Sequence, residues 1–237
     1  MGKGFGILSK MEFLQNWASS FIAGVNPAVV HNLEKYHVLK KVHYLSAIED
    51  LEGDYLEFGV FTGSSFCHSI RCCKKLERLN PNVKNMKFYG FDSFRGFGEL
   101  EKDDEHPFYQ DENFATDVKA VEKRVRKVAG KTPFELVPGF FNESLKGGAE
   151  SFNIKKIKII FIDSDTYSSA AEALTFCIPA VQEGSFIILD DFYSYRGRED
   201  KGVARAFSEF VKKSKIETRH VFTYGMGGAV YIVSKKK

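Results

Sequence analysis

The chain reads as an α/β protein: a mainly parallel sheet covered by helices on both faces. Three observations carry this reading. From residue 53 onward, short apolar runs rich in Phe, Ile, Val and Tyr alternate with segments of helical periodicity, the pattern of strand–helix–strand crossovers. The runs are apolar at successive positions, as strands buried on both sides require. The chain also closes on two strand-like segments around a glycine-rich turn, which ends the sheet with an antiparallel hairpin. With 237 residues, 43% hydrophobic and 27% charged, it has the size and composition of one ordered domain.

Helical patterns without strands fill the chain before residue 50, roughly over 9–23 and 28–49. The second follows Pro27, a residue that suits the first turn of a helix. We read 1–52 as a helical cap and 53–237 as the main domain, the two forming one compact unit. Strands are expected at 55–58, 87–91, 134–138, 157–162 and 185–189. After the first of them, Phe66, Ile70, Cys73 and Leu76 fall near helical spacing. Val203, Ala206, Phe207, Phe210 and Val211 form the core-facing stripe of the last helix. The closing strands are Thr218 to Tyr224 and Ala229 to Val233, separated by Gly225, Gly227 and Gly228.

Chemistry gathers where strands end. YLEFGVFTGSS, residues 55 to 65, delivers Glu57, Gly59 and Gly63 to a turn that a ligand can approach closely, and Ser64 and Ser65 can open the next helix. Asp92, ending KFYGFD, is placed to accept hydrogen bonds from ribose hydroxyls. The glycine spacing lacks the third glycine of dinucleotide folds, so S-adenosylmethionine, which has no phosphate, is the better cofactor candidate. IIFIDSDTY and FIILDDF place Asp163 and Asp190 27 residues apart, one crossover length, each just after an apolar strand. If those strands are neighbours at the usual spacing of ~4.8 Å, Asp163, Asp190 and Asp191 converge on one ion, with Asp165 a fourth acid nearby. Oxygen donors alone favour a hard cation such as Mg²⁺.

Composition excludes other classes. A net charge of +3, from 34 basic and 31 acidic side chains, is too small and too dispersed for a nucleic-acid partner. Cys67, Cys72, Cys73 and Cys177 show no metal spacing, which suits a reduced, cytoplasmic compartment. No run is long and apolar enough for a membrane span. The 14% aromatic content leaves room for a contact surface between copies, a homo-oligomer. The acidic segment 99–112 is a solvated loop or a lid over the acceptor pocket, and His31, His37 and His43 lie in the cap, within reach of a substrate.

Taken together, YLEFGVFTGSS, FYGFDSFRGF, LVPGFFNESL, FIDSDTYSSAAEAL, GSFIILDDF and KGVARAFSEF resemble the class I S-adenosylmethionine methyltransferases, and within them the macrocin O-methyltransferase (TylF-like) group. The resemblance covers most of residues 53 to 215. It implies a Rossmann-like sheet of seven strands with the last antiparallel, and Mg²⁺-dependent methylation of a hydroxyl, typically on a sugar of a natural product. It implies that Glu57, Gly59 and Gly63 line the methionine end of the cofactor, that Asp92 and Ser93 meet the ribose, and that Gly139 and Phe140 border the adenine. Asp163, Asp190 and Asp191 match the family's metal ligands, with Asp163 also the candidate base. Glu183-Gly184 and Ser168 depart from the family pattern, which touches substrate identity more than chemistry. Two alternatives stand beside this: an NAD-type oxidoreductase, and a methyltransferase-fold binding protein without turnover.

Overall fold

The computed structural model describes residues 10–102, 104–109 and 114–237. Its sheet has seven strands: β1 Asp54–Phe58, β2 Phe88–Asp92, β3 Phe134–Pro138, β4 Ile157–Ile162, β5 Val181–Leu189, β6 Ile216–Tyr224 and β7 Gly228–Lys236. They lie in the order β3-β2-β1-β4-β5-β7-β6. Strands β1 to β5 pair in parallel, and β7 runs antiparallel to β5 and β6. This is the expected fold class. The hairpin folds back so that β7, the last strand, inserts beside β5 and leaves β6 at the edge.

Six longer helices accompany the sheet: α1 Glu12–Gly24, α2 Pro27–Ile48, α3 Ser64–Leu76, α4 Val118–Ala129, α5 Tyr167–Cys177 and α6 Gly202–Ser214. Strand β4 shows why its sequence is apolar apart from Lys158. Ile157, Ile160 and Ile162 join a cluster with Ala170 and Leu174 of α5 and Phe207 and Phe210 of α6. The alternate residues Ile159 and Phe161 join a second cluster with Leu39 and Val42 of α2, Ile70 of α3 and Val125 of α4. From Ile159 on, a two-residue period thus serves two cores at once, the register shifting between Ile157 and Ile159. The four cysteines are buried and unpaired, and among the described residues no helix is long and apolar enough to cross a membrane.

The largest shift at a strand start from the sequence reading has a local reason. Strand β5 begins at Val181, four residues early, because Gln182 to Gly184 form an irregular stretch with Gly184 at φ +86° before Phe186 resumes the ladder. Such an insertion hides a strand start behind polar residues. The two helices of the cap pack differently. Helix α2 buries Val38, Leu39, Val42 and Ala47 against the sheet, whereas α1 buries none of its residues.

Gly59, just past β1, has φ +95°, and a Cβ there would collide with the Asp163 carbonyl. The close approach of two chain segments, rather than of a ligand, demands this glycine. Gly59→Ala is expected to cost about 2–4 kcal/mol of stability; a urea-unfolding difference under about 1 kcal/mol would contradict the packing described.

Candidate active site

Backbone pairing continues one residue beyond the strands and sets the site. The Asp163 amide donates to the Phe58 carbonyl at 2.8 Å, the Asp190 amide to Ile162 at 2.9 Å, and the Gly59 amide to Phe91 at 2.9 Å. Because Ile162 pairs with Leu189 in the parallel β4–β5 ladder, Asp163 and Asp190 emerge side by side. Gly59, Asp92, Asp163 and Asp190 therefore share the carboxyl edge where strand order reverses between β1 and β4, the usual place for a ligand in an open α/β sheet. A cavity of about 780 Å³ opens there, with Gly59, Asp92, Phe140, Asp163, Asp165 and Asp191 among its walls. Its size suits a small-molecule site.

Carboxylate oxygens of Asp163, Asp165 and Asp191 lie within 4.8 Å of one another. Asp190 lines the same cavity but is engaged by donors from other elements. Its Oδ1 accepts from the Tyr224 hydroxyl at 2.6 Å, and its Oδ2 from Lys35 Nζ at 2.7 Å and His31 Nε2 at 3.0 Å. Lys35 Nζ also donates to Asp163 Oδ2 at 2.9 Å. The expected acids do meet at one edge; the most closely grouped oxygens are those of Asp163, Asp165 and Asp191, while Asp190 accepts from three donors of α2 and the hairpin. Asp165 sits at φ 63°, a left-handed conformation uncommon for a side-chain-bearing residue and characteristic of functional loops.

The electrostatics follow from this layout. Burial pushes the Asp163 carboxyl well above its ordinary range and Asp190 adds to the shift, against the pull of Lys35. Burial and then Asp191 do the same to Asp165. Burial works upward on Asp190 too, yet Lys35 and His31 outweigh it and hold that group well below the usual carboxylate range. Lys35 is displaced downward by burial and upward by both carboxylates, which prevail. Three oxygen donors so close, two of them disfavoured as anions, fit a hard divalent cation.

Among the expected cofactor residues, Gly59, Ser64, Asp92, Ser93, Phe140 and Asp163 line the cavity, whereas Glu57, Gly63 and Gly139 do not. Glu57 is 0% exposed. It accepts hydrogen bonds from Ser65 Oγ at 2.7 Å and from the Tyr55 hydroxyl, supporting the loop from behind. Gly63, at φ +76°, caps α3 and packs on Val121; Gly139, at φ +139°, backs onto Ser144. These two glycines answer backbone needs. The Asp92 oxygens accept from the amides of Phe61 at 2.7 Å and Phe94 at 2.6 Å, so this acid also shapes the loops around the cavity. Ser93 Oγ donates to the Gly96 carbonyl at 2.6 Å.

The acidic segment is anchored where the structure describes it; residues 103 and 110–112 of the expected loop or lid lie outside the described residues. Asp104 is 0% exposed and accepts from the Tyr167 and Ser168 amides at the start of α5. His106 stacks on Tyr109 at 4.4 Å, and Phe108 reaches the cavity wall. Sequence reasoning missed Lys35 and Tyr224 altogether. The available signal was the His31, Glu34, Lys35 spacing on α2, which puts three polar groups on one helical turn.

The sequence profile of the macrocin-O-methyltransferase (TylF) family matches residues 30–224. The chain belongs to that family. Mycinamicin III 3''-O-methyltransferase of Micromonospora griseorubida is 24% identical over 179 residues, which are 70% of this chain and 66% of that protein's length. The 8-demethyl-8-(2,3-dimethoxy-alpha-L-rhamnosyl)-tetracenomycin-C 4'-O-methyltransferase of Streptomyces olivaceus is 26% identical over 202 residues, 77% of this chain and 73% of its own. The O-methyltransferase NovP shares the fold, with a TM-score of 0.66 at 18% identity, covering 84% of this chain and 79% of that one. The enzyme class read from the sequence, S-adenosylmethionine-dependent O-methyl transfer, is the class of this family.

Burial raises Glu57 to about 7 from an ordinary 4.5, against the hydrogen bonds of Ser65 and Tyr55. Between those values the folded protein keeps a proton that the unfolded chain releases, so this group's contribution is fully present below pH 4.5 and is lost as pH rises through 7. The loss amounts to about 3 kcal/mol. Glu57→Gln keeps the shape and removes this dependence: relative to wild type, it should gain about that much in urea unfolding on going from pH 5 to pH 8. A difference independent of pH would show that the carboxyl is not held protonated.

Proposed function

We propose that this protein methylates a hydroxyl of a small molecule, with a sugar of a natural product the favoured acceptor, using S-adenosylmethionine and a divalent cation such as Mg²⁺. One observation carries the reading. The carboxylates of Asp163, Asp165 and Asp191, from the ends of two adjacent strands, meet in the wall of the cavity that Gly59, Ser64 and Asp92 also line. Family membership supplies the reaction class, and the rhamnosyl group in the name of the Streptomyces olivaceus relative supports the sugar.

In this reaction a C–O bond forms at the methyl carbon as the C–S bond breaks, and the hydroxyl proton leaves to a base. Residues of this chain divide the work. Asp163, the base expected from sequence, has one oxygen on Lys35. Asp165, which shares a hydrogen bond with Asp191, is a second proton acceptor beside Asp163. Asp163, Asp165 and Asp191 would hold the cation, which when bound lowers the pKa of a hydroxyl and offsets their charge. Phe61, Phe97, Phe114 and Phe140 wall the cavity and exclude water from a step that gains mainly from positioning.

Calorimetric titration with S-adenosylhomocysteine should show binding that NAD does not, and turnover over a panel of glycosylated and phenolic acceptors should reveal a product. Asp191→Ala and EDTA should each cut that turnover by about a hundredfold or more. If both leave it unchanged, the metal has no role. Cofactor binding without turnover across the panel would favour the inactive binding protein, and NAD binding the oxidoreductase.

A further inference from the structure

A second cavity stands apart from the acidic edge. It spans about 410 Å³ between α2 and α3, and among the described residues its lining shares no member with that of the first. Each helix contributes a stripe at i, i+3, i+4 and i+7: His37, Lys40, Lys41 and Tyr44 from α2, and His68, Arg71, Cys72 and Lys75 from α3. The walls are fixed by packing. Leu39 and Val42 share a buried cluster with Phe66 and Ile70, the Tyr36 and His68 rings meet at 4.8 Å, and His68 Nε2 lies 2.9 Å from the Tyr36 carbonyl.

Charge in this cleft has one sign. Lys40, Lys41, Arg71 and Lys75 line it, and among the described residues no acid does. Elsewhere on the surface Lys87, Arg126, Lys156 and Arg198 each reach a carboxylate. The four cations of the cleft form no ion pair among the described residues, and Lys41 lies over the Phe222 ring at 4.9 Å. Both helices bring positive charge to one point: His68 is held below its ordinary value by burial first and, against the Tyr36 carbonyl, by Arg71 and then Lys40. Burial also pushes the Cys72 thiol up to about 11, against Lys40, so it adds apolar surface rather than charge. Tyr44, 49% exposed, and Leu76 extend that surface.

We propose that this cleft is a second binding site, taking an organic phosphate whose dianion meets Arg71, Lys40 and Lys75 and whose apolar body lies against Tyr44 and Leu76. Charge selects the head group. Like charges drawn together repel in a partly desolvated cleft, and a doubly charged anion offsets more of that repulsion than a carboxylate does. The Arg71 guanidinium also presents paired N–H donors that match phosphate oxygens. The walls select the body: inorganic phosphate leaves Tyr44, Cys72 and Leu76 facing water, whereas an apolar group covers them. The volume lies within the range of small-molecule sites. This site stands whether or not the first cavity transfers methyl groups.

The test is calorimetric titration of the full-length protein with naphthyl phosphate, inorganic phosphate and naphthol. Naphthyl phosphate should bind at least about tenfold more tightly than inorganic phosphate, which lacks the body, and than naphthol, which lacks the charge. Arg71→Gln should weaken it by about tenfold and Lys75→Gln by about threefold; both side chains are exposed, so both variants should keep the wild-type Tm. Tyr44→Ala should weaken naphthyl phosphate by about threefold or more. Phe61→Ala, in the first cavity, should leave its affinity unchanged. Absence of naphthyl phosphate binding at millimolar concentration overturns the proposal, as does binding that Phe61→Ala weakens and Arg71→Gln does not. Naphthol or inorganic phosphate binding as tightly as naphthyl phosphate overturns it too. So does a dimer in sedimentation that Arg71→Glu dissociates while naphthyl phosphate has no effect, since a second copy of the chain then fills the cleft.

Discussion

Four aspartates can share one buried edge only if opposite charge and donors are packed in with them, and here that requirement ties the N-terminal helix to the sheet. Asp163, Asp165, Asp190 and Asp191 follow two adjacent strands because β4 and β5 pair in register. Left to themselves they would repel in a medium that screens poorly. Lys35, His31 and Tyr224 answer that repulsion at Asp190. All four acids line the cavity.

The same constraint explains the double nature of α2. Its middle is an ordinary core helix, with Leu39 and Val42 completely buried against the sheet, and its first turns carry the polar groups that reach the strand ends. Apolar packing thus fixes the height and angle at which Lys35 arrives. Contacts from Glu34 and His31 to the β6–β7 turn join the helix to the hairpin, so three regions distant in sequence hold one carboxylate. The cap is part of the site's electrostatics as well as its roof.

The loops at the edge are likewise held from behind. Glu57 braces Ser65 at the start of α3, Asp92 collects two loop amides, and Asp104 caps α5. In each case an acid that looks like a ligand-binding group in the sequence spends its hydrogen bonds on the backbone. Motif reading cannot separate the two uses, because strand-end acids and glycines serve loop geometry and ligand contact with the same residue types.

Fold class, strand positions and the edge on which the acids cluster were legible in the chain, since each rests on short-range periodicity: continuous apolar runs, helical stripes, a glycine turn. Residues 55–58, 157–162 and the Asp163/Asp190 pairing were readable on that basis. The start of β5 was not, because its irregular stretch breaks the period, and neither was the partnership of Lys35 with Asp163 and Asp190, which spans 128 positions in one case. Which aspartates share a lysine depends on how α2 and the hairpin pack across the strand ends. Local sequence determined what kind of element each segment forms and which residue types lie at its end; only the tertiary structure decided which of those residues meet, because contact across the sheet is set by packing between segments that carry no mark of one another.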